Sequence, residues 1–242
     1  MKTPRLVPIA TLFALTLTTS CLATVITVPL GTAAPPSTLG GYYMQAFPDD
    51  ASPEGTPTFA LTPPAAAPVS GLLFFDTEMA HLEVPTTWVT WSHGYAGDVY
   101  WFDELSLGQW DQAGGPMPTA VTMALPADTR AFSFYLEPAF FDLNQDASAT
   151  FQVSATTAGG ETALSEVDIM AFGGATGFGF YTDDLADSIA SISILGLDTW
   201  PDGWAVGEFA INSIEGVPDG GASVLLLGLA LAGLGAARKQ VK

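Results

Sequence analysis

The chain has 242 residues, and its formal charge of −19 at pH 7 comes from 25 Asp and Glu set against 6 Lys and Arg. Five of those bases sit at the two ends, so residues 24 to 217 carry 24 acidic side chains and Arg130 as their one base. Such a surface repels phosphate backbones and excludes nucleic acid as a partner, while the single cysteine, Cys21, excludes a disulfide framework.

The opening Met1-Lys2-Thr3-Pro4-Arg5, followed by an apolar stretch from Leu6 to Leu22, has the layout of a signal peptide over residues 1–23. Cys21 and Ala23 supply small residues at the two positions a signal peptidase reads, which places cleavage after Ala23. The alternative is a lipoprotein signal acylated at Cys21, for which Thr18-Thr19-Ser20 is a poor preceding sequence. Cleavage after Ala23 leaves a cysteine-free body whose stability rests on core packing. The body, residues 24–216, is long enough for one domain with a sizeable core.

Thr24 to Val28 and Tyr42 to Phe47 read as the first two strands. Six prolines between residues 48 and 68 then predict an exposed loop or an extended edge. Leu72 to Phe75, Thr86 to Ser92 and Val99 to Phe102 follow as strands, the last two joined by the turn-forming His93-Gly94-Tyr95-Ala96-Gly97-Asp98 into a hairpin. From residue 119 onward alternation is clear: Val121/Met123/Leu125, Phe132/Phe134/Leu136, Phe151/Val153/Ala155 and Ile192/Ile194 are each interleaved with small or polar residues. Gly177 to Tyr181 and Trp204 to Ile211 bring the total to about a dozen strands. The body shows no helix-period segment. The expected fold is all-β, a single antiparallel β-sandwich of jelly-roll type.

Chemistry is sparse. With two histidines, no Gly-x-Ser-x-Gly and no His-Glu-x-x-His, the common hydrolase and zinc-protease signatures are absent. Glu78 and His81 have di-iron spacing, but that chemistry needs the pair twice, on helices. Asp142, Asn144 and Asp146 alternate as calcium ligands do; Ala147 and Val153 occupy the positions where an EF-hand needs Gly and Glu, leaving a calcium loop of another kind or a solvated turn. No other cofactor is implied. Trp88, Trp91, His93, Tyr95, Asp98 and Tyr100 crowd the hairpin, either as a face for stacking on sugars or as rings that pin the hairpin by packing. Paired carboxylates for a polysaccharide hydrolase are too abundant here to inform.

The tail is the most specific stretch. Val217-Pro218-Asp219-Gly220-Gly221 is followed by the uncharged run Ala222–Ala237 and then by Arg238, Lys239 and Lys242. As a helix the run would reach ~24 Å, enough to cross a ~30 Å hydrocarbon core with snorkelling at its ends. The basic cluster acts as a stop-transfer signal that keeps the tail end in the cytoplasm. This order of motif, Leu/Gly/Ala helix and Arg-Lys end resembles the PEP-CTERM class of sorting tails, in its Val-Pro-Asp-Gly variant. The resemblance implies an exported protein, held transiently in the inner membrane and processed near Pro218-Asp219 by an exosortase-type enzyme. Its destination would be the cell envelope, surface or extracellular polysaccharide matrix. The strand order also resembles the body of many exported proteins with this tail, from the Leu125-Pro126 turn through Phe178-Gly179-Phe180 and Ile189–Ile194 to the last strand. Gly207-Glu208 stands where such bodies often carry Asp. The expected role is structural or interactive and non-catalytic, with carbohydrate binding as the alternative and a polysaccharide-acting hydrolase as a more distant one.

Overall fold

Strands with an apolar residue at every second position bury that face against another layer of strands. In the computed structural model, which describes residues 25–65, 71–102, 120–139, 148–170, 173–184, 186–197 and 203–212, thirteen strands do so, and no helix occurs among the described residues. The first six are β1 (Val25–Gly31), β2 (Thr38–Leu39), β3 (Tyr42–Ala46), β4 (Pro57–Leu61), β5 (Leu73–Glu83) and β6 (Asp98–Phe102). Then come β7 (Ala120–Ala124), β8 (Ala131–Pro138), β9 (Ser148–Thr157), β10 (Thr162–Met170), β11 (Thr176–Thr182), β12 (Ile189–Gly196) and β13 (Trp204–Asn212).

The strands join in one antiparallel path, β1-β11-β8-β13-β6-β5-β7-β12-β9-β10, with β4 beside β5, β3 beside β13 and β2 beside β3. The long β5 turns the corner. Its start, Phe74 and Phe75, pairs with β7, and its end, Ala80 to Glu83, pairs with β6. The path thereby folds over on itself, and its two end strands, β1 and β10, come close together. The result is an all-β, antiparallel, nearly closed, barrel-like sheet. Phe151 of β9 and Trp204 of β13 lie far apart along the path, yet their rings meet edge-on across the core at 6.2 Å. Phe132, Phe134, Phe178, Phe180, Ile192 and Ile194 fill the same space.

Alternation translates directly where one face meets water. β9 buries every second residue from Ala149 to Thr157, and β12 buries Ile192 and Ile194 with Ser191 and Ser193 outside them. In β8 the pattern fails, because all eight residues are buried. Ser133, Tyr135 and Glu137, expected on a solvated hydroxyl face, lie under a second cover. The Tyr135 hydroxyl donates to the Ala33 carbonyl, and Leu39 and Tyr42 pack on Ala131.

The extended edge expected in the proline-rich stretch is β4, which pairs with β5. Two expectations need correction. β10 follows the 157–161 turn unforeseen, because Leu164 and Met170 share its outer face with Thr162, Glu166 and Asp168 while Ser165 stands on the inner one, which blurs the alternation. The polar outer residues pair across to β9. They form a ladder with β9 in which Thr150 donates to Asp168 at 2.8 Å and Gln152 to Glu166 at 3.1 Å. Thr86 to Ser92 is not a strand: Val84–Gly97 is an irregular loop between β5 and β6, so the anticipated hairpin is formed by β5 and β6 themselves. The signal segment with Cys21 and Ala23, the turn with Asp142, Asn144 and Asp146, and the tail from Val217 to Lys242 lie outside the described residues. Among the described residues no helix is long and apolar enough to cross a membrane.

Candidate functional site

The candidate site is built around an irregularity in β13. On one flank β13 pairs with β6 from Trp204 to Gly207 and then with β3 from Ala210 to Asn212. On the other flank its register with β8 shifts between Gly207 and Ala210. Glu208 sits in this bulge with φ of +52°, in the left-handed region that L side chains rarely adopt. A bulge re-aims a side chain out of the alternation, and here it offers the Glu208 carboxylate to the β5–β6 loop. Glu208 Oε1 lies 2.7 Å from His93 Nε2, and Oε2 accepts from Trp91 Nε1 at 3.1 Å. His93 is itself at φ +44°. Two strained residues thus hold each other; such positions cost ~1–3 kcal/mol each and persist where surrounding contacts over-determine them.

Glu137 at the end of β8 holds the same loop. It is fully buried and receives the Trp88 indole N–H at 2.7 Å on Oε2. Desolvation pushes its pKa up to about 7, against the opposing pull of Trp88 and of the nearby Thr90 hydroxyl. Its Oε1 makes no hydrogen bond of good geometry. The indole and phenol rings of Trp88, Trp91 and Tyr95 pack on Val84, Val99 and Ala205. A loop of this composition leaves the ladder because its indole N–H groups find buried carboxylates, and because Thr87 and Trp88 turn back onto the Glu83 carbonyl.

A third set of groups lies beneath. His81 is fully buried, and its Nε2 meets Asp98 Oδ1 at 2.8 Å. Burial opposes its charge, but the hydrogen bond and charge of Asp98, with Asp50 behind, prevail and raise its pKa. Asp98 Oδ2 also accepts the Asp50 backbone N–H, and Tyr100 OH donates to Asp50 Oδ2 at 3.2 Å. Asp50 titrates below its ordinary value: desolvation opposes this, but hydrogen bonds from Ser52, the His81 charge and the Tyr100 hydroxyl outweigh it. Burial raises the pKa of Tyr95 and Tyr100, assisted by the surrounding carboxylates. Tyr95 OH donates to the Asp98 carbonyl at 3.1 Å.

Above these groups opens a cleft of about 290 Å³, walled by Asp49, Asp50, Tyr95, Asp98, Tyr100 and Glu208 and floored by Phe47 and Phe209. Of the residues singled out in the sequence, Tyr95, Asp98 and Tyr100 line this cleft. Trp88, Trp91 and His93 instead bind the carboxylates that hold the loop, Glu137 fully buried and Glu208 at the cleft wall. Asp49, Asp50 and Glu137 carry no signal of a site in the sequence, while His81 stands out there for its spacing from Glu78, and Glu208 only for its place in the last strand. His81 was legible, since it falls in phase with Leu73, Phe75 and Met79 on the inward face of β5. Glu78, three positions away, is exposed, so the di-iron spacing brings no pair together. The cleft combines carboxylates and hydroxyls with apolar rings, a surface suited to polyhydroxyl or cationic groups. Among the described residues no three His, Cys, Asp or Glu are placed to hold a metal ion.

This geometry defines an anionic all-β protein with a polar cleft, one wall of which is Tyr95 of the β5–β6 loop. At the C-terminal end, the VPDSG-CTERM motif matches residues 216–241. The match supports a PEP-CTERM-like sorting domain there, with Gly220 where the motif's name has Ser. Neither a curated protein nor a solved structure matches the chain.

Proposed function

We propose that this is an exported protein, sorted through its C-terminal signal by an exosortase-type enzyme, whose β body serves a structural or interaction role in the envelope or extracellular matrix without catalysis. The observation that carries the reading is the sorting motif over residues 216–241. The signal-peptide layout of residues 1–23, the apolar run 222–237 and the near absence of bases from the body support the same route. On this reading signal peptidase cuts after Ala23, and residues 222–237 hold the chain briefly in the inner membrane. The body is a flattened barrel of jelly-roll type. Mass spectrometry of the native protein from fractionated cells tests this, with the expected product beginning at Thr24 and ending near Pro218 in the envelope or medium. An intact 242-residue chain dissolved in the cytosol refutes it.

The cleft supports carbohydrate binding as a second reading, because aromatic walls beside fixed carboxylates suit the apolar faces and hydroxyls of a sugar. Affinity electrophoresis in matrix polysaccharide tests it. Retention that Tyr95→Ala abolishes supports the reading, and retention unaffected by that change, or no retention, removes it.

A further inference from the structure

The β5–β6 loop is fastened by side chains rather than by strand pairing, and its fastenings differ in kind. Trp91 and His93 both converge on Glu208, one on each carboxylate oxygen. Trp88 has Glu137, which offers one bonded oxygen and one that makes no hydrogen bond. A carboxylate with no exposure and no cation, held by one indole donor and a Thr90 hydroxyl too weak to offset desolvation, cannot keep its charge cheaply. The elements around it bring no relief. Among the described residues β8 adds the Tyr135 phenol and β11 the Tyr181 phenol, and neither strand carries another charge. β13 carries Glu208, already engaged with His93, the loop's one titratable imidazole, and β6 carries Asp98, engaged with His81. Glu54 accepts from the Thr87 hydroxyl of the loop, whose remaining titratable group is Tyr95.

We infer that the Val84–Gly97 loop is a pH-operated strap, latched onto β8 while Glu137 is protonated and released when that proton leaves. Closed, the loop seals Glu137 from water and sets Tyr95 against the cleft. Once ionised, Glu137 regains hydration only if Trp88 and its neighbours lift. Trp88 is the residue whose displacement reports release, and Tyr95 is the cleft wall that moves with it. The inference stands on the Glu137 contact and holds whether or not the cleft takes a sugar.

The sign follows from linkage. The closed state holds the proton up to about pH 7, whereas the ordinary Glu value is 4.5. The proton therefore favours closure in acid, and the advantage disappears as pH rises through the closed-state value. Between pH 5 and pH 8 the opening constant should rise by roughly fifty- to a hundred-fold.

The test is a titration of the full chain labelled with 15N-tryptophan, following the Trp88 indole N–H from pH 5 to 9. Backbone amide exchange of Thr87 and Trp88 is read in parallel and corrected for intrinsic base catalysis. A Trp88 resonance that titrates with a midpoint near 7, with exchange rising by the stated factor, and that is flat in Glu137→Gln, supports the strap. A Trp88 resonance that does not move, or that moves identically in Glu137→Gln, overturns it. Should that variant not fold, the 13C carboxyl signal of Glu137 in the unmodified chain decides. An inflection above 6 supports the latch, and one near 4.5 overturns it.

Discussion

Gly207 joins the fold to the cleft, and adding one carbon to it is the sharpest test of how they are coupled. A Cβ there would sit 2.7 Å from the Asp98 carbonyl oxygen and 2.8 Å from Val99 Cγ1. The backbone of Gly207 does not lie in the left-handed region, so alanine meets no conformational barrier. Its restriction of the unfolded chain favours folding by ~0.4–1 kcal/mol. Against this stands overpacking, which costs ~1–3 kcal/mol when neighbours must move. The Val99 methyl could give way by a small rotation, but the Asp98 oxygen belongs to the backbone of β6 and moves only if β6 moves. Overpacking therefore wins, and Gly207→Ala should lose about 1–2 kcal/mol. At a slope of ~2–3 kcal/mol/M, the urea midpoint falls by about 0.3–1 M. Because Asp98 and Glu208 both border the cleft, the same displacement should disturb the Tyr95 and Tyr100 ring resonances, while β9 and β10 stay unchanged. An unchanged or higher midpoint would show that β6 and β13 are not packed this closely, and the bulge account of Glu208 would fail with it.

Trp204→Ala empties a fully buried site between Phe102 and Phe151 and should cost ~3–5 kcal/mol, read as a lower thermal midpoint with the sheet signature retained. Glu208→Ala strands the Trp91 indole and the His93 ring together; a loss of ~1–3 kcal/mol and faster exchange across residues 91–95 are expected. The His81–Asp98 pair stabilises the fold below the ordinary His value of 6.5, and that contribution is lost as pH rises through the raised folded value. Melting temperatures followed from pH 6 to 9 should therefore decline, and Asp98→Asn should flatten the decline; a slope unchanged in that variant would show the pair to be silent.

How much of this was readable beforehand can be judged strand by strand. β9 and β12 were legible because each has one wet face, so their alternation records burial directly. β8 was legible as a strand but misread as to its outer face, because Ser133, Tyr135 and Glu137 look solvated until β2, β3 and the β5–β6 loop are laid over them. β10 was not legible for the opposite reason: as an edge strand it leaves Leu164 and Met170 exposed beside Thr162, Glu166 and Asp168 and turns Ser165 inward, so no clean alternation marks it. The loop with Trp88 and Trp91 reads as a strand because its β-branched and aromatic residues are those that strands favour, although here they form a loop. What separates the two is the location of hydrogen-bond acceptors supplied by β8 and β13, about fifty and over a hundred residues away.

The sequence by itself determined the all-β class, the anionic body and the sorting tail, because composition, period-two alternation and a contiguous motif are local properties of the chain. The tertiary structure alone decided that the sheet folds over at β5, that Glu208 emerges at a bulge, and that Glu137 and His81 lose their water. Desolvation and the meeting of carboxylate with indole depend on which distant segments share a space, and no local pattern records that.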